Sequence, residues 1–110
     1  QTLFDLVASG QMTLELVVDK ACHASADLFG VTDRGYVREG YFADLVIVDA
    51  DRPFRVTSDN VLYKCGWSPF EGHEFTSTID TTIINGEIVY RDGSLTGAVA
   101  GRRLEFTRAR

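Results

Sequence analysis

Residues 81–93 read TTIINGEIVYRDG, two β-rich runs that meet across Asn85-Gly86. Asparagine followed by glycine tolerates the positive φ angles of a two-residue type I′ turn, so the stretch predicts a tight hairpin. Such a turn sets the register, with Ile84 opposite Glu87, Ile83 opposite Ile88, Thr81 opposite Tyr90 and Asp80 opposite Arg91. Ile79, Thr81, Ile83, Ile88 and Tyr90 then share an apolar face. Asp80 and Arg91 form a cross-strand ion pair on the other. An apolar face of that width has to be covered by another part of the protein.

Upstream, Leu45-Val46-Ile47-Val48 is a continuous apolar run bounded by Asp44 and Asp49, the pattern of a strand buried on both faces. Gly35 and Gly40 bracket a shorter alternating strand, and Phe54-Arg55-Val56 extends from a turn at Arg52-Pro53. Ser58 or Asp59 caps a brief helical turn. Residues 64–72, KCGWSPFEG, read as an ordered loop bent by glycine and proline around two aromatic anchors. Beyond the hairpin, residues 94–101 form a loop. Leu104 and Phe106, alternating with Arg103 and Glu105, predict a final strand.

The first thirty residues have a different period. Leu3, Leu6 and Val7 have helical spacing, stopped at Gly10. Thr13 is an N-cap for a second helix whose buried stripe is Leu14, Val17, Val18, Ala21 and Cys22. Ser25 caps one further short turn, Ala26 to Phe29, closed by Gly30. Helices first and strands after, with no βαβ alternation, describe an α+β arrangement: the end of a helical layer joined to a mostly antiparallel sheet.

With 110 residues the chain makes at most one domain. Its net charge is −5, and the first 101 residues carry 7 basic against 15 acidic groups. The arginines at 102, 103, 108 and 110 form a basic tail without aromatic platforms on an acidic body, which argues against nucleic acid. No apolar run approaches the roughly 18 residues of a membrane span, and two cysteines make no disulfide framework, so a cytoplasmic setting is expected. The opening Gln1-Thr2-Leu3-Phe4 is not a usual initiation sequence and suggests a piece of a longer protein. Incompletely covered apolar faces, and with them self-association, are expected of the segment alone.

Candidate chemistry is sparse. Cys22, His23, Cys65 and His73 are the available soft ligands, but none forms a CxxC or HxH pair. Cys22 and His23, adjacent on a helix, point about 100° apart. His23 suits the negative end of a helix dipole. Ser68 lies outside any GxSxG elbow, with His73 the only histidine near it. Cys65 beside Lys64 is a packed loop thiol, and Asp49 and Asp51 bracket a strand end. Gly35 and Gly40 do not build a phosphate loop. No catalytic, cofactor-binding or metal-ligating residue is therefore assigned, and Trp67 and Phe70 are the only candidate contacts.

Residues 35–49, GYVREGYFADLVIVD, resemble the "G-x-[IV]-x-x-G-x-x-A-D-[LIV]-[LIV]-[LIV]-x-D" pattern of the amidohydrolase superfamily. Residues 24–30, ASADLFG, are similar to that family's "N-P-A-x-x-[LF]-G", with Ala24 and Ser25 where Asn-Pro is usual. Ile84-Asn85-Gly86, Val89-Tyr90 and Asp92-Gly93 match its late "V-N-G-x-x-V-x-x-G". Within the superfamily, residues 62–72 and 103–106 look most like dihydroorotases. Hydantoinases, dihydropyrimidinases and allantoinases share a related F-E-G loop.

The resemblance implies that residues 1–31 are the last helices of a (β/α)₈ barrel. Residues 32–110, with a connecting loop over 57–75, are then the C-terminal portion of a composite β-sandwich completed by strands from the N-terminus. It implies a hydrolase that opens dihydroorotate to N-carbamoyl-aspartate in pyrimidine biosynthesis, using zinc or another divalent metal. Those ligands lie in an upstream barrel, including an HxH motif and a late aspartate that this chain lacks. The segment alone is then structural, inactive and metal-free. Its partners are the barrel and N-terminal strands of its own chain, a small-molecule substrate and further copies in a homo-oligomer, with no membrane. Trp67 and Phe70 are candidate contacts with the barrel rim. A non-catalytic scaffold descended from such enzymes is the alternative.

Overall fold

The computed structural model describes residues 1–107. Arg108 and Arg110 of the basic tail lie outside the described residues. The architecture is α+β, with helices over residues 2–29 followed by short antiparallel strands.

Helix α1 spans Thr2–Ala8, and Gly10 follows with a φ of 72°. Helix α2 spans Leu14–Val18, and Thr13, in an extended conformation, accepts a hydrogen bond from the Leu16 amide at 3.2 Å. The expected break before Ala26 is absent. A π-helical turn over Asp19–His23 carries α2 into α3, Ala24–Phe29. Ser25 does not cap; its hydroxyl donates to the Lys20 carbonyl at 3.0 Å. Gly30 closes the run in the left-handed region. Its amide bonds the Asp27 carbonyl, and the Val31 amide bonds that of Ala26, the pair of bonds of a Schellman end. The π turn shifts the phase of the helix beyond it. Of the expected stripe only Val17 is buried, joined by Ala26 after the turn, whereas Leu14, Val18, Ala21 and Cys22 are exposed.

Strand β1 is Leu45–Asp49, β2 Phe54–Arg55, β3 Glu74–Phe75, β4 Thr78–Ile84, β5 Glu87–Arg91 and β6 Ser94–Leu95. They form a four-stranded sheet in the order β1-β4-β5-β6 and a two-stranded β2-β3 ribbon, all antiparallel. The hairpin turns at Asn85 (φ 50°) and Gly86 (φ 84°), as the sequence requires. Ile84 faces Glu87 and Ile83 faces Ile88, also as expected.

Beyond that pair the register departs from expectation. Thr82 faces Tyr90 and Thr81 faces Arg91, so Val89 is an extra residue on β5. A second irregularity lies between β1 and β4, where Ile47 faces Thr81 but Val48 faces Ile79, leaving Asp80 bulged out. Bulges re-aim side chains. Asp80 accordingly meets Arg52 at 3.3 Å rather than the expected Arg91.

Three further expectations are corrected. Residues 35–40 are a loop, not a strand. β1 is an edge strand, with Val46 and Ile47 55% and 51% exposed rather than buried on both faces. The final strand reduces to a single bridge, Val31 to Phe106, flanked by bonds from the Thr32 amide to the Glu105 carbonyl and from Thr107 to Gly30. Two smaller differences concern short elements. The cap of the 3₁₀ turn Ser58–Asn60 is Thr57, in a reciprocal box with Asn60, and residues 94–95 pair as β6 instead of looping.

The hydrophobic core consists of Val17, Ala26, Val56, Phe75 and Ala100, with Thr81 only 2% exposed at the centre of the sheet. The radius of gyration is 15.6 Å, against about 13 Å for a compact domain of 100 residues. Large apolar side chains on both the helices and β1 therefore face outward among the described residues.

Candidate functional site

The residues that define the hairpin turn also define the best-organised polar cluster. Asp44, just before β1, accepts the Asn85 amide on Oδ1 at 2.8 Å and pairs through Oδ2 with the Arg34 guanidinium. Arg34 also donates to Asn85 Oδ1 at 2.7 Å, and its guanidinium lies 4.2 Å from the centre of the Phe42 ring. The Asn85 side-chain amide donates to the Ala100 carbonyl, and the Gly86 amide to that of Ala43 at 3.0 Å. Arg34 is 9% exposed, so its charge is almost wholly satisfied inside the protein. This cluster joins four separate stretches of chain, and every group in it is engaged. It is a lock rather than a reaction centre.

Beside it, the 35–41 loop is fastened to the helices. Gly35, at φ 81°, sits so close to α3 that an added Cβ would collide with the Ala26 Cβ and lie 2.9 Å from the Cys22 carbonyl. The Tyr36 ring stacks on His23 at 4.1 Å and 8°, with the Arg38 guanidinium 4.0 Å from its centre. Tyr36 donates its phenolic proton to Asp27 at 2.7 Å, and this bond is the main cause that raises the Tyr36 pKa. His23 therefore stacks within a continuous helical run instead of sitting at a helix end, as the sequence had suggested.

A third cluster connects α1 with the end of the aromatic loop. Asp5 Oδ1 accepts the Thr76 amide at 2.9 Å and the Thr76 hydroxyl at 2.8 Å, while Oδ2 lies 3.0 Å from His73 Nε2. The Thr76 amide bond, then the bond from His73 and the Thr76 hydroxyl, hold the Asp5 pKa down to about 2. With a carboxylate oxygen on that side, Nε2 is the ring nitrogen that carries the proton. His73 packs edge-on to Phe75 at 4.5 Å, and Phe70 lies 5.4 Å from Phe75. Phe70 and Phe75, with Val56, Tyr63, Ile79 and Tyr90, wall an open apolar groove of about 700 Å³. Phe70 is 43% exposed and belongs to this wall; Trp67 is 60% exposed and does not.

The remaining chemical candidates have structural partners. Ser68 Oγ accepts the Phe70 amide at 3.2 Å, making a turn, and His73 faces Asp5 instead of Ser68. Cys65 Sγ lies 3.6 Å from the Trp67 carbonyl, and Cys65 and Cys22 are both free and exposed. Asp49 accepts the Asp51 amide at 3.2 Å and pairs with Arg52 at 3.6 Å. Among the described residues, no three histidine, cysteine, aspartate or glutamate side chains converge as a metal would require. The Asp5 carboxylate is already engaged by three protein donors. No helix among the described residues is long and apolar enough to cross a membrane.

The Asp5–His73–Thr76 contact was invisible in the sequence because its partners lie 68 and 71 positions apart. Arg34 gave no signal either, standing one residue before the patterned stretch. The loop position of His73 was the only hint.

Comparison with known proteins places these features in context. A family model described as "Amidohydrolase family" matches residues 1–89. The chain is 34% identical over 102 residues to a dihydroorotase from Pyrococcus furiosus, covering 93% of this chain and 24% of that protein. It is 31% identical over 101 residues to an allantoinase from Desulfitobacterium hafniense, covering 92% and 21%. Among solved structures it is similar to an L-hydantoinase (dihydropyrimidinase) from Arthrobacter aurescens. That likeness has a TM-score of 0.71 and 32% identity over 81% of this chain and 20% of that one. The chain thus spans about a quarter of the length of the curated relatives it matches.

Proposed function

The chain belongs to the amidohydrolase family, and from that membership we propose that it is the C-terminal portion of a metal-dependent dihydroorotase. In this reading residues 1–31 are the last helices of the catalytic barrel. Residues 32–110, with the loop over 57–75, belong to a flanking β-sandwich. The observation that carries the reading is similarity to a dihydroorotase over 93% of the chain at 34% identity. The order of elements supports it, since helices end before the sheet begins. So does the outer edge of β1, which has no strand partner among the described residues and suits a strand supplied by another part of a longer chain.

The chemistry would then reside outside these residues. Zinc or another divalent metal would be held by residues other than those described here, which offer no fitting set. The role of residues 32–110 is to brace the barrel, gripping its helix α1 through His73 and Thr76 at the end of the aromatic loop. Exposed Trp67 and the groove-wall residue Phe70 are proposed to meet the barrel rim. A small-molecule substrate, a homo-oligomer and a cytoplasmic setting belong to the same proposal, the last supported by two free, exposed thiols.

A related hydantoinase, dihydropyrimidinase or allantoinase is the second reading, favoured by the likeness to the L-hydantoinase and the allantoinase. Assaying the longer protein, loaded with zinc, on dihydroorotate, dihydrouracil, hydantoin and allantoin separates them. Turnover of dihydroorotate above the other three is the expected result. Preference for another ring transfers the assignment to the second reading. No turnover of any ring by folded, metal-loaded protein replaces both with a non-catalytic scaffold.

A further inference from the structure

Helix α1 has no fully buried residue, Phe4, Leu6 and Val7 being half-buried, so polar links bear much of the task of fastening it to the segment between β3 and β4. Its firmest polar links run to one short segment. Asp5 takes two bonds from Thr76 and one from His73, and Gln1 Nε2 donates to the Ser77 carbonyl at 2.9 Å. The same segment ends the aromatic loop. The His73 amide bonds the Phe70 carbonyl at 2.8 Å, and the His73 carbonyl accepts the Val56 amide at 2.9 Å. His73 thus stands between Asp5 and the two phenylalanines of the groove wall.

We infer that Asp5 is a positioning residue. By gripping Thr76 and His73 it fixes the end of the 64–72 loop, and with it Phe70 and Phe75, against helix α1. The inference concerns geometry within residues 1–107 and does not depend on which ring the longer protein hydrolyses. A carboxylate suits this task because one oxygen can accept two bonds from a single threonine while the other faces the imidazole. Asparagine retains one such oxygen and therefore preserves the Thr76 bonds, whereas alanine removes every contact. A ligand-binding role for the carboxylate is ruled against by the same geometry, because its acceptor sites are directed at protein donors.

The test compares Asp5→Ala, Asp5→Asn and Thr76→Val with wild type in the full-length protein that carries this chain. Amide exchange followed by mass spectrometry reads residues 70–77 separately from residues 78–91, and trypsin cleavage after Lys64 reports the loop independently. Asp5→Ala is expected to speed exchange over 70–77 about tenfold and to expose Lys64 to cleavage, with residues 78–91 unchanged. Asp5→Asn should restore most of the protection, and Thr76→Val should reproduce part of the loss. Exchange over 70–77 within twofold of wild type in Asp5→Ala overturns the inference. So does acceleration spread equally over 78–91, or failure of Asp5→Asn to restore protection. If Asp5→Ala does not fold, Thr76→Val decides: a rise confined to 70–77 supports the inference, and no rise or a uniform one overturns it.

Discussion

The Arg34–Asp44–Asn85 junction and the Asp5–His73–Thr76 contact solve the same problem, joining distant stretches through one half-buried carboxylate, but with partners that differ in burial. At the junction, the arginine is shielded from water, its planar guanidinium lies near an aromatic ring, and the asparagine shares three partners. At the helix contact, the carboxylate keeps a quarter of its side chain in solvent and its histidine nearly half. Burial strengthens each interaction and raises the penalty for losing one partner. The first cluster should therefore govern whether the chain folds. The second should govern where one loop sits.

The largest expected effect breaks the junction. Asp44→Ala leaves the Arg34 charge without its carboxylate in a nearly dry site, and should destabilise by about 3 kcal/mol. Chemical denaturation of the longer protein measures this. A loss near zero would mean that the junction is no tighter than the helix contact. The next effect concerns the close approach that seats the junction against the helices. Gly35→Ala combines a positive φ with a collision at Ala26, and should lower stability by about 2 kcal/mol. Adding Ala26→Gly should recover only the clash with Ala26, since the close approach to the Cys22 carbonyl and the backbone strain persist; thermal melting of both variants reads the difference.

Smaller consequences attend the helix contact, and acid reveals them. Asp5 has its pKa lowered from 3.8 to about 2, so the folded state holds its proton less tightly than the unfolded one. Its contribution is complete above pH 3.8 and is lost as pH falls through 2. Among the described residues, His73 is the one charged or titratable side chain in direct contact with it. Carbon-13 titration of the Asp5 carboxyl should give a midpoint near 2, and an ordinary midpoint would dissolve the contact in solution. The smallest effect marks the fully surface-bound limit of the comparison. Arg52→Ala removes exposed pairs to Asp49 and Asp80 and should cost about 0.5 kcal/mol or less by the same denaturation assay.

Much of the local structure was legible before any coordinates. Thr13 caps a helix because its hydroxyl acts on an amide three residues away, and Gly30 ends one because only the local backbone decides that conformation. Asn85-Gly86 turned as expected for the same reason. The bulges at Asp80 and Val89 were not legible: one extra residue in a strand leaves the alternation of residue types almost unchanged, yet moves every later partner. The exposure of Cys22 was missed because a π turn shifts phase without a composition signal of its own.

The family motifs show the same division. Asp44, Asn85 and Gly86 were recognisable as a pattern, and that pattern pointed to the amidohydrolases through residues now seen to interlock. Sequence alone determined the Thr13 and Gly30 caps, the turn, the α+β order and the family, all of which rest on neighbours within a few residues or on a recurring string. Tertiary structure alone decided that Arg34 completes the junction, that Asp80 turns to Arg52, and that Asp5 reaches Thr76 across 71 positions. Those contacts depend on how separate elements meet in space, and no local propensity encodes that distance.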